Sequence, residues 1–337
     1  MPPATRLSLV SLFTSLILLA LAGVWTGSGA QAQQPAPPQE PGQQTAPPAQ
    51  KQDDNFRIQR DVNLVVLHAT VLDDRGRFVP DLKQENFRVL EDKVEQKLAL
   101  FKREDIPISV GLVIDNSGSM RDKRDRVNTA ALTFVKTSNP NDEAFIVNFN
   151  DDYYLDLDKD FTSDLNEMKD ALERIDSRGS TALYDALIGS LDHLKKGHRD
   201  KKVLLVITDG VDNASRKSLE ITVQEAQRSE ALIYAVGLFS QETKSDAKRA
   251  RRALNSLTQA TGGLAFFPER TEDTEAICTQ IAHDIRNQYT LAYYPTNTSR
   301  DGRFRSVQVE AIPPRGRGKV FVRTRNGYYA QRATASD

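Results

Sequence analysis

Between residues 106 and 287 the apolar positions change period again and again. Continuous Val/Ile/Leu-rich runs at 108–115, 144–149, 202–208 and 231–237, with a shorter one at 264–267, predict strands buried on both faces. Apolar residues spaced three and four apart predict helices over 122–137, 163–175, 182–196, 218–229, 245–260 and 272–287, and the stretch from Asn148 to Asp158 has room for a hairpin. Such alternation predicts an α/β fold: a doubly wound, mostly parallel sheet with helices on both faces and right-handed crossovers. Outside this span the period falls to two. Strand-like alternation marks 62–72, Phe87 with Val89, and Leu98 with Leu100, with Asp73-Asp74-Arg75-Gly76 as a turn, and it returns at 289–294, 305–312 and 319–324. Each flank is too small to bury a core alone. The two are therefore expected to pair into one small β-sandwich, with the α/β domain inserted between them.

Ahead of these elements, Arg6 is followed by a mostly apolar stretch from Leu7 to Trp25 and then by small residues ending in Ala30-Gln31-Ala32. This resembles a secretory signal peptide with its cleavage site. Left uncut, the stretch is long enough to span a bilayer, which is the one membrane contact expected. Gln33 to Asp54 is dominated by Gln, Pro and Ala and predicts an extended spacer. The expected organisation is a leader at 1–32, a linker at 33–54, a β module at 55–105, the α/β domain at 106–287 and a second β module at 288–331. The expected location is outside the cell or in the periplasm or envelope.

Composition narrows the classes. Across 337 residues, 39% hydrophobic and 27% charged content suits a globular protein with a sizeable core, and a formal net charge of -1 supplies no field to recruit nucleic acid. The Arg-rich C-terminal segment (Arg300, Arg303, Arg305, Arg315, Arg317, Lys319, Arg323, Arg325) is interleaved with valines and is expected to lie on solvated strand faces. Cys278 is the single cysteine, so no intramolecular disulfide forms; its spacing with Ile281, Ala282 and Ile285 predicts a buried thiol. The four histidines show no metal-ligand spacing. Asp156, Asp158, Asp160 and Glu167 mimic a calcium-loop spacing, but Phe161 stands where that loop requires glycine, so a solvated hairpin and a helix capped near Ser163 are expected. Thr261-Gly262-Gly263 lacks the lysine and helix start of a phosphate loop.

Candidate chemistry gathers at strand ends. The run Val110 to Ile114 stops at Asp115, with Ser117 and Ser119 following at alternate positions, so one carboxylate and two hydroxyls leave the sheet together. Thr181 precedes the helix over 182–196, and a second apolar run, 203–207, ends at Thr208-Asp209-Gly210. Open α/β sheets bind ligands at the carboxyl ends of their strands, which places Asp115 and Asp209 at one edge. Oxygen-only donors with two acids suit a hard cation, and the low anionic count fits Mg²⁺ better than Ca²⁺, with Mn²⁺ equally at home in octahedral oxygen ligation.

Asp-x-Ser-x-Ser at 115–119, Thr181 and Thr-Asp-Gly at 208–210 together resemble the metal-ion-dependent adhesion site of von Willebrand factor A domains. The resemblance covers about 106–287. It extends to the flanks, since Glu85-Asn86-Phe87-Arg88-Val89-Leu90-Glu91-Asp92 and Tyr293-Tyr294-Pro295 are similar to stretches of secreted bacterial proteins related to that family. The resemblance implies that Asp115, Ser117, Ser119, Thr181 and Asp209 hold a divalent cation, directly or through water, with one position open to a partner's Asp or Glu carboxylate. It further implies coupling of the last helix to the site. The expected function is a non-catalytic, metal-dependent adhesion or scaffold module for a protein partner, with the loops around Asn116, Met120, Arg178 and Asp212 shaping the choice of partner. A metal-dependent hydrolase and a structural envelope protein with an unused metal site are the alternatives; no Ser/His/Asp or Cys/His set is recognisable, and the motif supplies no general base.

Overall fold

A computed structural model describes residues 64–332 apart from 104, 175, 240, 241, 315 and 317. The expected leader, the linker and the start of the first β module lie outside the described residues.

The first flank contributes β1 (Val65–Asp73), β2 (Phe87–Glu91), β3 (Val94–Gln96) and β4 (Leu98–Lys102). The α/β domain follows with β5 (Ile108–Asp115), α1 (Arg124–Lys136), β6 (Glu143–Phe149), β7 (Tyr153–Leu155), α2 (Leu165–Glu173), α3 (Leu183–Leu194) and β8 (Lys201–Thr208). It continues through α4 (Leu219–Arg228), β9 (Leu232–Gly237), α5 (Lys244–Thr261), β10 (Ala265–Phe266) and α6 (Thr274–Arg286). The second flank adds β11 (Tyr289–Tyr293), β12 (Phe304–Ala311), β13 (Val320–Arg323) and β14 (Gly327–Tyr329).

The central sheet runs β10-β9-β8-β5-β6-β7 and is parallel except for β7, the hairpin partner of β6. Every residue of β5 is buried, which is why its sequence is a continuous apolar run. On one face, Ile108, Val110, Leu112 and Ile114 share a core with Val127, Ala131 and Phe134 of α1 and with Cys278, Ile281 and Ile285 of α6. On the other, Val113, Val147 and Val206 share a core with Leu187, Leu191, Leu254 and Leu257. The Cys278 thiol is fully buried, and that burial pushes its pKa up to about 12. No helix among the described residues is long and apolar enough to cross a membrane.

The two flanks form antiparallel sheets only by combining. One runs β13-β1-β11-β4 and the other β14-β12-β2-β3, so each draws strands from before and after the α/β domain. Their shared core includes Leu67, Ala69, Val71, Phe87, Val89, Tyr289, Leu291 and Val309. The two flank motifs meet here: the buried Glu91 carboxylate accepts hydrogen bonds from Tyr293 Oη and Tyr328 Oη, both at 2.8 Å, while Asp92 accepts from the Ser306 backbone N–H at 2.9 Å.

The chain enters β5 and leaves α6 at one edge of the central sheet, where Arg286 bonds the Ile106 carbonyl and pairs with Asp105 and with buried Asp142. Asp115 stands at the opposite edge, about 23 Å away at the usual strand rise. One expectation needs correcting. Arg305 and Arg325 are buried rather than solvated; Arg305 pairs with Asp301, and the Arg325 guanidinium lies over the Tyr328 ring. Helix α2 is capped near Ser163 as expected, by the adjacent Asp164, whose carboxylate accepts the Asn166 N–H at 2.7 Å.

Candidate metal centre

The end of β5 turns because Asp115 caps its own loop: one carboxylate oxygen accepts the Ser117 N–H at 2.8 Å. Its other oxygen accepts the Thr208 hydroxyl from the neighbouring strand at 2.6 Å, tying the ends of β5 and β8 together. From Gly118 to Lys123 the backbone forms a 3₁₀ turn that leads into α1. The Ser117 and Ser119 hydroxyls lie 3.3 Å apart, and Ser119 Oγ donates to Asp209 Oδ1 at 2.7 Å. Asp209, fully buried, stands one residue beyond β8.

The third segment is laced to the first. Gly118 N–H donates to the Gly179 carbonyl at 3.1 Å and Arg178 N–H to the Asn116 carbonyl at 2.9 Å. Thr181 is held by its own N–H, which donates to Asn213 Oδ1 at 2.8 Å, and its carbonyl accepts from Asn213 and Ala214. A Cβ on Gly210 would lie 3.1 Å from the Thr181 hydroxyl, so this oxygen sits against the residue that follows Asp209. All five sequence-predicted residues therefore converge on one sheet edge, with Asp115, Ser117, Thr181 and Asp209 buried and Ser119 exposed at the mouth.

Burial dominates the electrostatics. It pushes the Asp115 carboxyl up to about 6, against the hydrogen bonds from Thr208 and Ser117, with the nearby Asp209 charge adding to the rise. Asp209 has a partner that sequence reasoning missed. The Lys123 ammonium pairs with Asp209 Oδ2, both side chains being 5% exposed or less. Arg121, Asp122, Lys123 and Arg124 look like a solvated run, yet basic residues at the start of α1 oppose the helix dipole, and that was the available signal of a buried counter-charge.

Two loop residues expected to shape a partner surface turn inward instead. Asn116 hydrogen-bonds Asn148 and Met120 packs in the first core, whereas Arg178 is exposed and Asp212 half-buried. Asp212 accepts the Tyr184 N–H at 2.9 Å and so fixes the start of α3.

The donor set is all oxygen. Among the described residues no group of three or more His, Cys, Asp or Glu side chains gathers around a metal-sized space, so two acids plus hydroxyls are what the edge offers. The Lys123 ammonium seated on Asp209 shows that this edge accommodates positive charge, and hard oxygen donors fit Mg²⁺ or Mn²⁺.

Residues 110–211, which contain all five of these side chains, match the von Willebrand factor type A domain family. Residues 110–211 are thus similar to a von Willebrand factor type A domain, and the α/β fold that contains them is of that type. Among solved structures, the chain is similar to the PilB minor pilin from Streptococcus sanguinis, at 13% identity over 55% of this chain and 63% of that one, with a TM-score of 0.44. It is similar to a von Willebrand factor type A protein from Catenulispora acidiphila, at 12% identity over 84% and 77% of the two chains and a TM-score of 0.49. It is also similar to proximal thread matrix protein 1 of the mussel byssus with a zinc-occupied MIDAS motif, at 16% identity over 58% and 49% and a TM-score of 0.44. The chain thus spans less than two thirds of the length of the pilin and of the byssus protein. No curated protein matches the sequence. The central, mostly parallel sheet of this α/β domain is accompanied by the two antiparallel sheets of the flanks.

Proposed function

We propose that the protein is an exported, envelope-facing or secreted module that binds a protein partner through a divalent cation, Mg²⁺ or Mn²⁺, held by Asp115, Ser117, Ser119, Thr181 and Asp209. The observation that carries this reading is the arrangement of those five oxygen-bearing side chains around one edge, four buried and Ser119 at the solvent. When bound there, the cation supplies a positive centre at which an Asp or Glu side chain of the partner replaces water. Asp115 and Asp209 provide the anionic floor and Ser119 the rim. Export rests on the apolar leader at 7–25 with its Ala30-Gln31-Ala32 end. A hydrolytic reading finds no support in the site, since the lysine nearest the acids is committed to Asp209.

Isothermal titration with Mg²⁺ and Mn²⁺ tests the reading. Wild type is expected to bind one equivalent, and Asp115→Ala to lose at least a hundredfold in affinity; equal affinity in the variant refutes the site. A pull-down from envelope extract should capture a partner with wild type, and lose it with chelator or with Asp115→Ala. The sign of the pH effect follows from Asp115. Below about pH 6 its carboxyl carries a proton that the cation must displace, so affinity should fall about tenfold between pH 7 and pH 5. A flat profile across that range counts against direct ligation by Asp115.

A further inference from the structure

The acids of the centre are not equivalent. Asp115 is held by neutral donors alone, Thr208 Oγ1 and the Ser117 N–H, whereas Asp209 shares its two oxygens between Ser119 and the Lys123 ammonium. Lys123 closes the same 3₁₀ turn that carries Ser119, and its side chain is 5% exposed against 0% for Asp209. Its charge is therefore poorly screened by water and acts on whatever occupies the edge. Because Oδ2 takes Lys123 and Oδ1 faces Ser119, the ammonium neutralises Asp209 without covering the hydroxyl side of the site.

Charge counting gives the consequence. With both carboxylates ionised and Lys123 charged, the cation-free centre carries one net negative charge, and with a divalent cation it carries one net positive charge. A partner's carboxylate then brings it to zero. Without the lysine the same states are two negative, neutral and one negative, so the cation would be held harder and the carboxylate would meet no net attraction. We propose that Lys123 sets the charge of the centre, giving up cation affinity to leave the loaded site with the positive charge that selects a carboxylate-bearing partner. This inference rests on the cation-binding reading above. It adds a specificity-determining residue outside the five donors, and it predicts effects of opposite sign on the two ligands.

The test is Lys123→Met, which keeps the length of the side chain and removes its charge. Mn²⁺ binding is read by electron paramagnetic resonance of the free ion, and carboxylate binding by the relaxation of acetate methyl protons in the presence of the Mn²⁺-loaded protein. Lys123→Met should bind Mn²⁺ at least tenfold more tightly than wild type and acetate at least tenfold more weakly. Lys123→Arg, which keeps the charge, should move both back toward wild type. Where Lys123→Met fails to fold in chelator, Lys123→Gln, neutral but still able to donate to Asp209, replaces it in the same titrations. Equal Mn²⁺ affinity in wild type and the neutral variants, or acetate binding that strengthens with cation affinity, overturns the role of Lys123 while leaving the cation site intact. Absence of Mn²⁺ binding in every variant, wild type included, overturns the site itself.

Discussion

Asp209→Ala is expected to cost the cation-free fold about 3–5 kcal/mol, more than the loss of any other donor of the centre, because it leaves the Lys123 ammonium buried without its counter-ion. The same change removes the acceptor of the Ser119 hydroxyl. Asp115 behaves differently. Its folded pKa is raised above the unfolded value, so the native state binds more protons between about pH 4 and pH 6, and its contribution to stability declines as pH rises through that window. At neutral pH in chelator, ionised Asp115 is therefore a burden on the fold, and Asp115→Asn should be close to neutral or stabilising. Two acids of one candidate site thus separate by the sign of their effect on stability. Urea unfolding in chelator at pH 7.5 measures both. Pairing Asp209→Ala with Lys123→Met should recover most of the loss, since no unpaired charge then remains. If Asp209→Ala and Asp115→Asn destabilise equally, the ion pair does not hold the site together in the way its burial implies.

Which parts of this arrangement were legible in the sequence follows from what burial does to a pattern. Strands β5 and β8, covered on both faces, can be built only from apolar runs, and an acid that ends such a run stands out; Asp115 and Asp209 were visible for that reason. The insertion was visible because neither flank has enough alternating residues to close a core. The three-residue strands β3 and β14 were not, since so short a segment has no measurable period and is defined by its neighbours, β2 and β12. Buried charges were the least visible. Lys123, Arg305 and Arg325 sit in basic runs that look solvated, and only tertiary partners (Asp209, Asp301 and the Tyr328 ring) distinguish them. Glu91 and Tyr293 are instructive in another way: conspicuous as flank motifs, they are one hydrogen-bonded contact that joins the two sheets of the sandwich.

Gly262→Ala is expected to destabilise the protein by about 2–5 kcal/mol without changing cation affinity. Gly262 ends α5 in the left-handed region, at φ 87, with its N–H donating to the Thr258 carbonyl. A side chain in that conformation costs about 1–2 kcal/mol by itself. Here a Cβ would also stand 2.6 Å from the Arg325 backbone nitrogen and 2.7 Å from the Thr324 carbonyl carbon, and backbone of the sandwich cannot rotate aside as a flexible side chain can. Overpacking of this kind adds about 1–3 kcal/mol. Gly76 supplies the control: its φ is +73, yet a Cβ there meets nothing within 4 Å, so Gly76→Ala should show the conformational cost alone. The difference between the two variants in urea unfolding isolates the contact between the α/β domain and the sandwich. Cation affinity is expected to stay at the wild-type value because α5 ends beside Ile233, near the start of β9, at the edge of the sheet opposite Asp115 and Asp209. A fall in Mn²⁺ affinity in folded Gly262→Ala would mean that the seam between the domains reaches the cation site through the sheet, and would make the sandwich part of the binding mechanism rather than its mount.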